Sequence, residues 1–173
     1  MRLDPSTADC LVFTYKEGLL SAIAHDLQIR VQEFAITLDD SAWHVEARFD
    51  ATSLRVVGVM RDGVLHPDEL GEADKHTIEQ NIVQDVLQAD RHPDVRFTST
   101  VAEARGDELA VGGTLALHGE TRSLVVLVRR DSSGWTAEVR LHQPDFGIRP
   151  YRAMLGTLRV RADVVVRVTI PVR

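Results

Sequence analysis

ELAVGGTLALHGETRSLVVLVRR, residues Glu108 to Arg130, is the stretch that decides how the rest of the chain is read. Leu109, Val111, Gly113, Leu115 and Leu117 share one parity, while Ala110, Gly112, Thr114, Ala116 and His118 share the other. Successive strand residues point to opposite faces, so a period of two marks a strand with one buried side. Gly119 interrupts the pattern, and a second, β-branched run follows at Ser123–Val128. Two such runs around a short link containing Gly predict a long antiparallel hairpin with His118 at its tip.

The pattern continues outward in both directions. Downstream, Asp131–Gly134 reads as a turn, and Trp135, Ala137, Val139 and Leu141 alternate with Thr136, Glu138, Arg140 and His142. Pro144–Gly156 is irregular, and Val160–Ile170 is the cleanest strand of all. Upstream, Arg96–Val101 reads as a strand burying Phe97, Ser99 and Val101. Before it, Ile78, Ile82 and Val86 recur at a spacing of four, which predicts one amphipathic helix over Glu72–Gln88 with Asp74 as N-cap. Met60–Gly71 reads as a connection and Leu54–Val59 as a short strand; Val45, Ala47 and Phe49 extend a strand from Trp43, after a turn at Asp39-Asp40-Ser41. In Leu27–Leu38 the apolar residues change parity near Gln32–Glu33: Leu27, Ile29 and Val31 are odd, Phe34, Ile36 and Leu38 even. A one-residue bulge there returns both halves to one side and bends the strand. Cys10–Lys16 reads as a strand, and Leu19–Ala24 as a turn of helix.

Eight long strands, one interpolated helix and no βαβ alternation give an all-β, antiparallel single domain over 1–173. A lipocalin-like eight-stranded barrel and a sandwich both satisfy this pattern; the bend and the strand lengths favour the barrel. At 173 residues the chain buries roughly 70% of its unfolded surface, enough for one core or a small cavity. Alternation does not distinguish a filled barrel from a hollow one.

Composition excludes several classes of function. The net charge is −6, with no basic run, which argues against nucleic acid and anionic membrane surfaces. Lys16 and Lys75 are the only lysines among 20 basic residues, a compositional bias rather than an arginine-rich site. Cys10 is the only cysteine, so no intramolecular disulfide or thiolate cage can form. No run approaches 18 apolar residues, so no membrane-spanning helix is expected. Asp4 and Asp9 stand where a signal peptide would need an apolar core, so a cytoplasmic location is expected, or a periplasmic one had a leader been removed.

The polar candidates are few. The histidines at 25, 44, 66, 76, 92, 118 and 142 show no metal-ligand spacing, and neither metal nor cofactor is implied. His25-Asp26 would point to opposite faces if in a strand, and no nucleophile motif accompanies it. His44 and His142 fall on outward parities, and His118 reads as a turn residue. Asp145, Arg149, Tyr151 and Arg152 cluster in the late loop, where Arg149 and Tyr151 could meet a polar head group or pair within the loop.

Three ordered segments carry a family resemblance. His92-Pro93-Asp94-Val95-Arg96-Phe97-Thr98-Ser99, then Gly113-Thr114-Leu115-Ala116-Leu117-His118-Gly119-Glu120-Thr121-Arg122, then Pro144-Asp145-Phe146-Gly147-Ile148 resemble motifs of the YceI-like family. Asp9-Cys10-Leu11-Val12-Phe13-Thr14-Tyr15 replaces that family's frequent H-S-x-V-x-F opening, and Val59-Met60-Arg61-Asp62 matches its N-E-x-R-D segment only loosely. The resemblance implies a hollow, lipocalin-like bacterial barrel that binds polyisoprenoid or related amphipathic lipids without catalysing a reaction. Together with the alternation it gives an expected lining of Phe13, Tyr15, Leu27, Ile29, Val31, Phe34, Val45, Phe97, Leu115, Leu117, Trp135 and Val139, with His118, Arg149 and Tyr151 at the polar end. Two other readings stand beside it: a hydrolase or other enzyme on a lipid-like substrate with His25 or His118 as general base, and a homodimer through outward Val126 and Val165.

Overall fold

The computed structural model describes residues 1–17, 25–39, 44–153 and 158–172. The strands are β1 (Arg2–Leu3), β2 (Asp9–Thr14), β3 (Asp26–Val31), β4 (Phe34–Asp39), β5 (His44–Asp50), β6 (Leu54–Arg61), β7 (Val64–His66), β8 (Asp94–Arg105), β9 (Glu108–Leu117), β10 (Glu120–Asp131), β11 (Gly134–His142), β12 (Arg152–Ala153), β13 (Leu158–Arg159) and β14 (Asp163–Pro171). Helix α1 spans Glu72–Asn81. The helix expected at 19–24, Trp43, most of the turn at 39–41 and the last residues of the irregular segment lie outside the described residues.

Twelve strands form one antiparallel sheet in the order β1-β4-β5-β8-β9-β10-β11-β14-β2-β3-β6-β7, and β12–β13 form a separate pair. The expected eight long strands become twelve because Leu27–Leu38 divides into β3 and β4, the short strand expected at Leu54–Val59 joins as β6, and β1 and β7 are added. The hairpin between β9 and β10 is as the alternation predicts. Glu120 pairs with Leu117, leaving a two-residue turn in which His118 (φ 53°) and Gly119 (φ 80°) are both left-handed. Left-handed pairs match the right-handed twist of the flanking strands.

Curling follows from chain continuity. Only Gln32 and Glu33 separate β3, which lies between β2 and β6, from β4, which lies between β1 and β5. One bent run therefore serves two distant parts of the sheet order. The bend has its own hydrogen bonds: Gln32 N–H donates to the Ser53 carbonyl (3.1 Å) and Glu33 N–H to Ser53 Oγ (3.0 Å). Ser53 Oγ in turn donates to the Asp50 carbonyl (2.8 Å), and Ser53 is buried. Across the bend Val31 and Phe34 are both buried, so the change of parity is absorbed there, by a break rather than the expected one-residue bulge.

A second irregularity, in β8, does overturn an expectation. The register against β9 shifts between Ser99 and Val101. Thr100 is the extra residue, so Ala102 packs against the core while Val101 faces outward at 48% exposure, instead of being buried. The helix also differs from its sequence reading. Its N-cap is Gly71, which makes no side-chain cap, and Asp74 lies inside the first turn. After Asn81 the chain widens into a π-helical turn over Ile82–Val86. Ile78, Ile82, Val86 and Leu87 pack against the core, and Glu79 accepts the Val56 N–H of β6 (2.8 Å), so the helix also blunts a sheet edge.

Candidate ligand-binding face

The curled sheet presents one continuous aliphatic face inward, and burial divides it into two regions. On β2, β3, β4 and β6 the inward residues Cys10, Leu27, Ile29, Val31, Phe34, Ile36, Leu54, Val56 and Val59 are buried. On β10, β11 and β14 the inward residues Leu124, Val126, Val128, Val139, Val164, Val166, Val168 and Ile170 pack against that core yet stay half-buried. Register explains their common orientation: Val126 lies opposite Val111, and Val139 opposite Val166. These side chains offer no hydrogen-bonding atoms, so the half-buried stripe can take only apolar surface, at about 0.8 kcal/mol per CH₂ removed from water.

The two ends of the stripe differ. At the end carrying His118, Phe146 and Ile148 are each only 3% exposed, and buried Gln143 donates from its side chain to the Arg161 carbonyl (3.0 Å). At the opposite end Trp135 shares the inward parity, opposite Ile170, but is 41% exposed. Arg130 lies directly across from Trp135 on β10, and its guanidinium sits over the indole at 5.3 Å. In the wall, at the bend, a separate cleft of about 360 Å³ is lined by Ala8, Cys10, Val31 and Phe34 with Asp9 and Arg30 at its rim.

Of the residues expected to line the interior, Leu27, Ile29, Val31, Phe34, Val45, Phe97, Leu115, Leu117 and Val139 lie on or against the common core. Phe13 and Tyr15 do not. In β2 the inward set is Cys10 and Val12, paired with Val168 and Val166, so Phe13 is on the outer side beside Val165. Arg167 covers the Phe13 ring at 4.8 Å, which is why an outward phenylalanine is still only 8% exposed. Both parities of this strand are apolar, and the larger side chains there drew the wrong face. Trp135 has the expected parity but marks a rim, not a wall. Val126 likewise corrects the expected outward pair: it faces inward, and Val125 and Leu127 share the outer face with Val165. The half-buried β14 valines were missed as lining, although their alternation was the clearest in the chain.

The expected polar residues divide as follows. His118 Nδ1–H donates to the Phe146 carbonyl (3.1 Å), its Nε2 is buried without a partner among the described residues, and its ring lies 4.7 Å from that of His92. His118 thus fastens the β9–β10 turn to the buried segment that carries Phe146 and Ile148. Tyr151 Oη accepts from the Asn81 side chain (3.1 Å), tying the late loop to α1, while Arg149 is exposed. His25 stands 3.8 Å from Glu69, whose carboxylate is held below its ordinary range chiefly by a hydrogen bond from Arg61. His142 is bonded to Asp163 (2.7 Å) and His44 lies 3.3 Å from Glu46. Among the described residues no three His, Cys, Asp or Glu side chains are placed to hold a metal. Cys10 is 1% exposed, and burial, with a smaller contribution from Asp9, pushes its thiol up to about 12.

A mostly β chain with one helix, whose antiparallel sheet curls around an aliphatic face, defines a barrel-like class. Comparison narrows that class: the YceI-like domain matches residues 2–172, and the chain belongs to that family. Its fold is similar to that of Burkholderia cenocepacia BcnA, with 14% identity, 96% of each chain covered and a TM-score of 0.65. It is also similar to the Campylobacter jejuni YCEI protein, with 15% identity, 78% of this chain and 76% of that one covered, and a TM-score of 0.54. Comparison with curated proteins gives no match.

Proposed function

We propose that this protein is a non-enzymatic binder that carries or stores a long-chain amphipathic lipid, of polyisoprenoid or fatty-acyl type, on its inward aliphatic face. The observation that carries this reading is the half-buried stripe on β10, β11 and β14. In a filled barrel, side chains that pack against the core are expected to be covered like their neighbours on β3 and β6; these retain accessible surface. Membership of the YceI-like family supports the same reading. The strand order supports the same reading: with β1 and β2, and β3 and β4, taken as single bent strands, and β6–β7 as an outer pair on β3, it is consistent with a lipocalin-like ring of eight.

Native mass spectrometry of the purified protein, with organic extraction of any bound lipid, tests this directly. A bound prenyl or acyl species, or uptake of added prenyl alcohols or fatty acids, is the expected result. Absence of both overturns it.

A further inference from the structure

We propose that the ligand is an anionic amphiphile whose head group is held by Arg130 at the exposed end of the inward face, the end opposite His118, Arg149 and Tyr151. The inference rests on the binding face proposed above and adds the head-group chemistry and the orientation. Seven arginines lie on β8, β10, β11 and β14, and six of them have a carboxylate partner. Arg96 pairs with Asp94, Arg105 with Glu103, Arg122 with Glu120, Arg129 with Glu108, Arg140 with Asp163 and Arg167 with Glu138. Of these seven only Arg130 has no carboxylate partner among the described residues, and, unlike Arg2, Arg55, Arg91, Arg149, Arg152 and Arg161, which also have none, it rests on an indole at the end of the inward face.

Its position suits the capture of an anion. Arg130 shares the inward parity of Val128, and its cross-strand partner Trp135 lies opposite Ile170. Leu109, Val128, Val168 and Ile170 continue the apolar surface away from it. A guanidinium stacked on a ring keeps its N–H edges free, and those edges match a carboxylate or a phosphate through two parallel hydrogen bonds. An aliphatic tail laid on the stripe puts its head at this cation and its chain end towards Phe146 and Ile148. The turn beneath is braced: Asp131 accepts from the Ser133 and Gly134 N–H groups at 2.7 and 3.1 Å, so Arg130 and Trp135 are held in register without a ligand.

The test compares four probes at one chain class each: farnesyl monophosphate against farnesol, and palmitate against hexadecanol, by competition with a fluorescent fatty acid. Each is measured on the parent chain, R130Q, R130K and R149Q. The expected result is that an anionic probe binds about tenfold more tightly than its neutral counterpart. R130Q abolishes that difference while leaving the neutral alcohols unchanged, R130K retains part of it, and R149Q changes nothing. The phosphate and carboxylate arms show which anion the site prefers. Equal binding of charged and neutral probes by the parent, or loss of the difference in R149Q instead of R130Q, overturns the head-group assignment and leaves lipid binding standing. Failure of all four probes to bind removes lipid binding and this inference with it.

Discussion

Ser53 shows how one polar side chain can hold a fold's curvature. Its hydroxyl accepts from Glu33 N–H and donates to the Asp50 carbonyl, at a bend where two strand pieces must face the same side. Ser53→Ala leaves both backbone groups without that partner in a buried site, and should lower unfolding free energy by about 1–3 kcal/mol in urea denaturation. Gly113 is a second fixed point. A Cβ there would meet the Thr98 carbonyl and lie 2.6 Å from the Phe97 ring, so Gly113→Ala should cost about 1–3 kcal/mol by overpacking, again read from the urea midpoint. Cys10 makes a chemical prediction. With its thiol at about 12 and 1% exposed, it should react with a disulfide reagent at pH 8 only as fast as the protein opens. The sign of the linked stability follows. The folded state holds the thiol proton more tightly than the unfolded one, so this contribution is complete below the thiol's ordinary value. It is lost as pH rises from there to about 12, and Cys10→Ser should flatten the alkaline fall in stability.

At the scale of elements, the sheet is managed by its edges and turns. α1 contributes little burial of its own, since none of its residues is fully buried, but Glu79 satisfies the Val56 N–H on the part of β6 that β7 does not cover. Glu79→Ala should speed hydrogen exchange of the Val56 amide and destabilise the chain by about 1–3 kcal/mol, while Glu79→Gln, which keeps an acceptor, should recover most of that loss. The hairpin tips tell a related story. His118-Gly119 was legible as a turn because Gly interrupts a strict alternation, whereas the role of His118 in bonding Phe146 was not, because residues 28 apart meet only when β10 and the segment after β11 fold together. The bulge at Thr100 was equally hidden: nothing in Arg96–Val101 breaks the alternation, and only pairing with β9 forces the extra residue.

For the molecule as a whole, opposite faces of one strand provide the sharpest contrast. Val166 faces inward beside Val12, and Val165 faces outward beside Phe13. Val166→Glu should abolish uptake of prenyl or acyl amphiphiles, whereas Val165→Glu should leave it intact, with both variants checked for folding by circular dichroism. At about 100 times Kd, a bound amphiphile should stabilise the parent by about 2.7 kcal/mol, seen as a raised unfolding midpoint that Val166→Glu does not show. The sequence by itself determined the antiparallel strands, the helix, the β9–β10 hairpin and the change of face at Gln32–Glu33, because period, parity and turn chemistry are local properties of the chain. It also placed most of the inward residues wherever one parity was apolar and the other polar. Only the tertiary structure decided the rest: that Phe13 lies outside under Arg167, that Val101 is flipped by a bulge, and that Phe146 and Ile148 are buried at one end of the inward face while Trp135 and Arg130 are exposed at the other. Those facts depend on which strands become neighbours, and neighbours in a curled sheet are set by register and closure between residues far apart in the chain.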